Sequence, residues 1–195
     1  MKKFALVLMV LLAIGGVAFA APKDKGKASD PVVVTPYVDK GEFLVNVGIG
    51  WGGLSGGAEM TFARVDIGGV IPLTFGAAAR AFVDPGIFYS WFPFSLGVGG
   101  FGTVHCGFKS LDLPSGFGWF SDCDVYAGVG VGFATVTDSY YTGGIGISTF
   151  EGASYYLNDN LAINFEYGYI GRVNGSYSWD YYALWYSTIG VVFKL

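Results

Sequence analysis

The sequence of 195 residues offers few side chains that could act as a nucleophile, a general base or a metal ligand. His105 is the single histidine, and the strand pattern places no serine where it could pair with that ring. The two cysteines, Cys106 and Cys123, are separated by a loop, so they form no metal-binding cluster with the histidine. The sequence therefore predicts no enzyme activity, no cofactor and no metal site, and His105 is expected to make a structural hydrogen bond.

The N-terminus has the layout of a secretory signal peptide. Two lysines precede residues 4–19, which are apolar and uncharged, and a small residue two positions before Ala20 completes a cleavage site. Cleavage is expected between Ala20 and Ala21, so residues 1–20 are predicted to be absent from the mature protein. Residues 21–41 contain several charges and prolines and are expected to form a flexible periplasmic segment.

The composition of the chain excludes several classes of protein. Charged residues make up 13% of the sequence, about half of what a soluble domain usually carries, and the mean hydropathy is +0.49. Without residues 1–20 the chain has nine basic and 15 acidic side chains, a net charge of −6, which does not resemble a nucleic-acid-binding surface. An exported chain this apolar must enter a membrane or hide its surface in an assembly.

From residue 42 to residue 195, apolar side chains alternate with glycines and polar side chains. In residues 43–51 the odd positions hold Phe, Val, Val, Ile and Trp, and the even positions include Asn46, Gly48 and Gly50. Because successive side chains leave opposite faces of a strand, one face is apolar and the other is small or polar. The recurrence of this pattern predicts eight strands, at residues 42–51, 57–69, 73–83, 90–107, 123–136, 143–157, 160–171 and 181–195.

The character of the two faces predicts which one is outside. The second face is mostly Gly, Ser and Thr with few charges, so it could not solubilise an exterior, but it suits a narrow lumen. A closed barrel leaves no unpaired backbone groups in lipid, and aromatic residues gather near the predicted strand ends, as at a bilayer interface. The predicted fold is all-β, an eight-stranded antiparallel up-and-down transmembrane β-barrel over residues 42–195. A soluble barrel with an apolar interior is the alternative.

Five charged residues within the predicted strands are expected to face the lumen, namely Arg64, Asp66, Arg80, Glu151 and Glu166, and all but Asp66 are assigned to one charge network. A charge that faces lipid at mid-depth is costly, and charges enclosed in a narrow lumen must be paired. Arg80 is therefore expected to pair with Glu166 or Glu151, with Arg64 joining the network.

The alternation supports an inward orientation for Arg80 and Glu166, but it is ambiguous elsewhere. In the second strand, Met60 and Phe62 share the face of Arg64. In the sixth strand, Ile145 and Ile147 share the face of Glu151, so a β-bulge near Ser148 and Thr149 is expected to turn that carboxylate inward.

The two cysteines are a possible disulfide. Cys106 and Cys123 have the parity of the apolar face on neighbouring predicted strands and flank residues 107–122, a long connection for a periplasmic turn. They are expected to pair in an oxidising periplasm, with two free thiols as the open alternative.

Two segments of the chain resemble a known family. The last six residues, with Gly190, Phe193 and Leu195, resemble the C-terminal assembly signal of bacterial outer-membrane proteins, although such signals usually end in Phe. Residues 151–169 resemble the hairpin between the sixth and seventh strands of the eight-stranded OmpA/OmpX/OmpW-like barrels, and residues 69–80 are similar to small spirochaete members of this group. The resemblance implies a monomer in the outer membrane, with lipid and the barrel assembly machinery as partners.

The predicted function is a structural or surface role in the outer membrane, with a narrow lumen filled by side chains. Eight strands enclose only enough space for side chains or one small ligand, so a wide aqueous pore is not expected. Two alternatives stay open: a small channel for hydrophobic or small solutes, as OmpW-like relatives suggest, and a surface ligand or adhesin. The predicted outer loops, at residues 52–56, 84–89, 137–142 and 172–180, are short for an adhesin.

Overall fold

The alternating segments form eight antiparallel strands joined in chain order. A 3-10 helix of eight residues, Ser115–Asp122, precedes the fifth strand. The strands are β1 Phe43–Trp51, β2 Gly53–Ile67, β3 Ile71–Asp84, β4 Ser95–Gly107, β5 Cys123–Val136, β6 Tyr141–Asn158, β7 Leu161–Gly175 and β8 Tyr181–Lys194.

This computed structural model describes residues 35–51, 53–67, 71–86, 94–109, 115–137, 140–175 and 181–195. The predicted signal peptide, its cleavage site at Ala20 and Ala21, and most of the predicted N-terminal segment lie outside the described residues. In the described ranges, no helix is long and apolar enough to cross a membrane.

Each strand pairs with the next, and β8 pairs with β1 to close the barrel. In that closing pair Val45 lies opposite Phe193, and Gly48 lies opposite Gly190. A Cβ atom at Gly190 would lie 2.1 Å from the carbonyl oxygen of Val47, so the closing strands can approach this closely only because the residue is glycine. The eight-stranded up-and-down barrel predicted from the sequence is confirmed.

The barrel is apolar outside and polar inside, which is the arrangement of a transmembrane barrel. Five large aliphatic side chains on its outer wall are exposed over 51% to 62% of their surface, namely Val47, Ile49, Val129, Val131 and Ile189. The inward positions include buried Asn46, Glu59, Asp124 and Thr188. The exterior therefore suits contact with lipid rather than with water.

The limits of most strands differ from the prediction by one to five residues, and β4, for example, begins at Ser95 and not at residue 90. The differences at β2 and β7 lengthen those strands. β2 begins at Gly53, so most of the outer loop predicted at residues 52–56 is part of that strand. β7 continues to Gly175 instead of ending at residue 171. Both strands are lengthened at the end of the barrel opposite the chain termini, where glycine and polar residues concealed the alternation.

Two bulges explain where the alternation breaks. Between Thr61 and Ala63 the pairing with β3 shifts by one residue, so Arg64 lies on the inner face although Phe62 points outward. In β7 the pairing with β8 shifts between Ile170 and Val173, at Gly171, whose φ of 66° is a conformation that favours glycine.

The bulge predicted near Ser148 and Thr149 does not turn Glu151 inward. From Gly144 to Thr149, β6 advances five residues while β7 advances three, from Arg172 to Tyr169. A difference of two residues keeps each side chain on its original face. Glu151 therefore stays on the outer wall with Thr149, and the prediction of an inward Glu151 is wrong.

Candidate functional site

The centre of the lumen holds five ionisable side chains contributed by five different strands. Their exposed fraction is at most 6% of the surface of each residue. We call them the ionic cluster; they are Glu59 on β2, Arg80 on β3, His105 on β4, Asp124 on β5 and Glu166 on β7. The neighbours of each cluster residue in the sequence are apolar or small and face outward. Because side chains alternate between the two faces of a strand, all five cluster residues point into the lumen.

Arg80 bridges two carboxylates in the cluster. Its Nη2–H donates to Glu59 Oε2 at 3.2 Å, and its Nε–H donates to Glu166 Oε2 at 3.2 Å. The guanidinium also lies over the ring of Phe150, 4.5 Å from the centroid. One cation therefore ties β3 to β2 on one side and to β7 across the lumen.

Glu166 is held by hydrogen-bond donors as well as by the ion pair. The Tyr186 hydroxyl donates to Oε1 at 2.8 Å, and the Tyr126 hydroxyl donates to Oε2 at 3.2 Å. Asn46 Nδ2 donates to Oε2 at the longer distance of 3.4 Å. Because a buried carboxylate without donors is very costly, these contacts are what allow a fully buried Glu166.

His105 lies between two acids. Its Nδ1 is 2.7 Å from Asp124 Oδ2, and its Nε2 is 2.8 Å from Glu59 Oε1. The Thr103 hydroxyl donates to the same oxygen of Glu59. Both ring nitrogens therefore lie within hydrogen-bond distance of a carboxylate oxygen, and the ring connects β4 to β2 and β5.

Two further layers of side chains fill the lumen on either side of the ionic cluster. Toward the end opposite the termini lies an aromatic layer, in which Phe101 meets Phe150 edge to face at 4.9 Å and Phe82 stacks on Tyr186 at 5.4 Å. Ile170 is fully buried in the same layer. The cavity that remains beside the cluster measures about 20 Å³, about the room of one water molecule.

The mouth at the chain termini is closed by the N-terminal lead-in, residues 35–42. Tyr37 and Val38 are buried there, and the Tyr37 ring stacks on Tyr156 with centroids 4.4 Å apart. The Val38 carbonyl accepts a hydrogen bond from Thr74, and the Tyr37 carbonyl accepts one from Lys194 Nζ at 2.8 Å. The segment predicted to be flexible through residue 41 is thus anchored at this end, which corrects the expectation.

Burial and the hydrogen bond that its hydroxyl donates to Asp122 at 2.8 Å raise the pKa of Tyr37 to about 12. The neutral phenol is the form that the folded lead-in favours. Its contribution to stability is therefore complete below the ordinary tyrosine pKa of about 10 and is lost as the pH rises through about 12.

The four charges assigned to one network from the sequence separate into three places. Arg80 and Glu166 meet in the ionic cluster, whereas Arg64 lies at the mouth, where it pairs with Asp39 at 3.0 Å and with Asp66 at 2.7 Å. Glu151 is on the outer wall.

The sequence did not predict that Glu59 and Asp124 face the lumen, or that both ring nitrogens of His105 contact carboxylates. The alternation within each strand contained the information. Glu59 shares the small or polar face of Gly57 and Thr61, and Asp124 immediately precedes the apolar-face residue Val125, so its side chain is on the other face.

Cys106 and Cys123 lie on neighbouring strands but are free. Cys106 is opposite Val125 in the register, so Cys123 is its diagonal neighbour on the outer wall. The thiol of Cys123 is 3.8 Å from the carbonyl oxygen of Trp119. The structure therefore does not contain the predicted disulfide. Within the described residues, no group of three or more His, Cys, Asp or Glu side chains could hold a metal ion.

Comparison with known proteins identifies no family. No family model and no curated protein matches this chain. Among solved structures, a de novo designed transmembrane β-barrel is similar, with 21% identity and a TM-score of 0.43 over 81% of this chain and 98% of that one. Neisserial surface protein A has 19% identity and a TM-score of 0.39, over 79% of this chain and 94% of its own. Outer membrane protein AlkL, solved in lipid bilayers, has 13% identity and a TM-score of 0.31, over 87% and 94%.

Removing one partner of the central ion pair should lower the free energy of unfolding more than removing both partners. We expect Arg80→Met to lower the free energy of unfolding by about 3–5 kcal/mol, because it leaves two buried carboxylates without their shared cation. Adding Glu166→Gln should recover part of that loss, and urea unfolding in lipid vesicles measures both. Lys109→Met, which removes the exposed contact with Asp159 and the contact with the Tyr37 ring but leaves the ionic cluster intact, is the control and should cost less. Strictly additive losses for the two cluster substitutions would contradict the pairing.

Detaching the lead-in should expose its backbone to protease. In the protein refolded in vesicles, Tyr37→Ala removes the stacking on Tyr156 and the bond to Asp122, so trypsin should cleave after Lys40 faster than in the wild type. Because the Tyr37 phenol stays neutral well above pH 8, cleavage of the wild type should be equally slow at pH 8 and at pH 9. Equal cleavage of the two proteins at pH 8 would show that the lead-in does not close the mouth.

Proposed function

We propose that this chain is an integral outer-membrane β-barrel with a structural role, whose lumen is closed by its own side chains. The observation that carries the proposal is the ionic cluster, because it fills the middle of the lumen with charged groups that pair with one another inside the protein. A group so enclosed stabilises and orients the barrel wall rather than meeting a passing solute.

Localisation in the outer membrane is supported by two independent features. The outer wall is apolar, and a closed barrel leaves no strand edge with unpaired backbone groups in lipid. The sequence begins with the pattern of an export signal. In this proposal the end with the chain termini faces the periplasm, which places the lead-in and the turn after β6 on that side.

The proposed partners are outer-membrane lipid and the barrel assembly machinery. β8 carries the resemblance to the assembly signal, and it is also the strand that closes the barrel. Gly190 permits the close approach of β8 to β1, while Phe193 and Leu195 expose apolar side chains on the outer wall. One strand thus provides both the last pairing and the apolar end that an assembly factor would recognise.

The closed lumen argues for a structural barrel over a channel. A solute would have to pass the buried Tyr37 and Val38, then the ionic cluster, then the aromatic layer. Eight strands leave an interior only about as wide as its own side chains, so the three layers have no space to move aside. A small channel remains the alternative that the conductance experiment below tests.

The environment of His105 supports a barrel without enzyme activity. The ring is buried, and both nitrogens are already engaged by carboxylates. A general base needs a free nitrogen within reach of its substrate. The histidine therefore holds β4 to β2 and β5, and we propose a positioning role for it.

The refolded mature protein should not conduct ions in planar bilayers above the leak of the lipid. Arg80→Ala combined with Phe150→Ala removes neighbouring side chains from the ionic cluster and the aromatic layer, so this variant should show conductance if it folds to the same heat-modifiable form. Arg64→Ala, at the mouth, is the control and should stay closed. A steady wild-type conductance equal to that of the double variant would overturn the closed lumen and favour the channel.

A further inference from the structure

The outer wall of β6, β7 and β8 carries polar side chains that the barrel itself does not need. In the register, Glu151 lies directly opposite Tyr167, and Tyr167 lies opposite Ser187. The hydroxyls of Tyr167 and Tyr169 are 2.6 Å apart. We call Glu151, Tyr167, Tyr169 and Ser187 the polar patch.

The polar patch lies far from both ends of β6. Glu151 follows Tyr141 by ten residues and precedes Asn158 by seven. At about 3.3 Å per residue and a strand tilt of about 40°, seven residues correspond to a height of roughly 18 Å. The apolar band of such barrels is about 25 Å tall, so Glu151 lies at membrane depth and not in the headgroup region.

A carboxylate at this place is unusual for this molecule. Among the described strand residues whose side chains face outward, only Glu151 and Arg172 are charged, and Arg172 is near the opposite end of β7. Acyl chains offer no hydrogen-bond donor, so lipid cannot solvate the carboxylate. The matching position on the opposite wall shows the contrast: Ala77, Ala79 and Ala81 of β3 present only methyl groups.

The polar patch is complementary to itself. It contains an acceptor, the Glu151 carboxylate, beside two phenols that are donors, and only one of those two hydroxyls can donate to the other. A two-fold symmetric contact needs donor and acceptor within the same surface, because each copy presents the identical patch. Bulky apolar side chains flank it, with Ile147 exposed over 79% and Trp185 over 50% of their surface, and they supply area to pack.

We propose that the polar patch is the contact surface of a homodimer within the membrane, in which the carboxylate of Glu151 accepts a hydrogen bond from a tyrosine hydroxyl of the second copy. Two such bonds form per dimer, one from each copy. This arrangement replaces the monomer expected from the sequence, and it rests on the proposed residence of the barrel in a bilayer.

The first experiment locates the contact by cross-linking. Cys106 and Cys123 are replaced by serine, and a single cysteine is introduced by Ala153→Cys, beside Glu151 on the outer face of β6, or by Ala79→Cys on β3 as the matched control. Both proteins are refolded in phosphatidylcholine vesicles and treated with a short bis-maleimide. We expect a covalent dimer from the Ala153→Cys protein and not from the control. Equal cross-linking at both positions would overturn the proposal, since it would indicate random collision.

The second experiment measures the strength of association by energy transfer between labelled copies as lipid dilutes them. Glu151→Leu removes both symmetric bonds, and Tyr167→Phe with Tyr169→Phe removes the donors. Each change should weaken the dimer roughly tenfold or more, if each membrane hydrogen bond contributes as in other membrane proteins. An unchanged association for either variant, or a wild type that is monomeric throughout, would overturn the proposal.

Folding is checked separately in every sample, by heat-modifiable migration and by protection of the strands from protease. Glu151→Leu exchanges a lipid-facing carboxylate for an apolar side chain, so the barrel should fold at least as well as the wild type. Loss of the dimer with the fold intact is therefore attributable to the contact. Failure of the wild type to insert into vesicles would instead contradict the proposed membrane location.

Discussion

A lumen too narrow for bulk water governs the rest of this structure. Eight strands leave room only for side chains, so any charge inside must be compensated by another group of the protein. The chain places three carboxylates, one arginine and its single histidine there and connects them through shared atoms. Glu59 contacts three of these partners at once, because one carboxylate oxygen contacts Arg80 and the other contacts His105 and Thr103.

The same contacts bear on how the barrel selects its register. If a strand slipped by one residue, every side chain on it would change faces, and Glu59 or Glu166 would be driven into lipid. The outer wall is made of similar small and aliphatic residues on most strands, so it distinguishes one register from another only weakly. We infer that the ionic cluster contributes specificity to the fold as well as stability, which accords with the mixed energetic value of buried ion pairs. Polar contacts also hold the lead-in at the mouth, where Lys194 contacts both Glu42 and the carbonyl of Tyr37.

The sequence predicted the fold because a period of two is a local property that holds over most of each strand. It predicted the meeting of Arg80 with Glu166 for the same reason, since both residues keep the parity of their strands. The errors have physical causes. The bulge at Phe62 changes the parity of β2 midway, so the sequence does not show which of its charges face inward. The inward prediction for Glu151 rested on the cost of a lone carboxylate in lipid, but the register keeps this side chain on the outer wall. Diagonal neighbours such as Cys106 and Cys123 share a face without bonding, a distinction that requires the register itself.

His105 is fixed between two acids inside a closed lumen, and because it is the single histidine of the sequence, its environment can be measured directly. Nitrogen-15 is introduced only into the histidine ring of the protein refolded in vesicles, so the NMR spectrum reports this residue alone. We expect that both ring nitrogens are hydrogen-bonded and exchange slowly with solvent, that Asp124→Asn shifts mainly the Nδ1 signal, and that Glu59→Gln shifts mainly the Nε2 signal. A ring nitrogen that exchanges freely with water, or a spectrum that neither substitution changes, would contradict it.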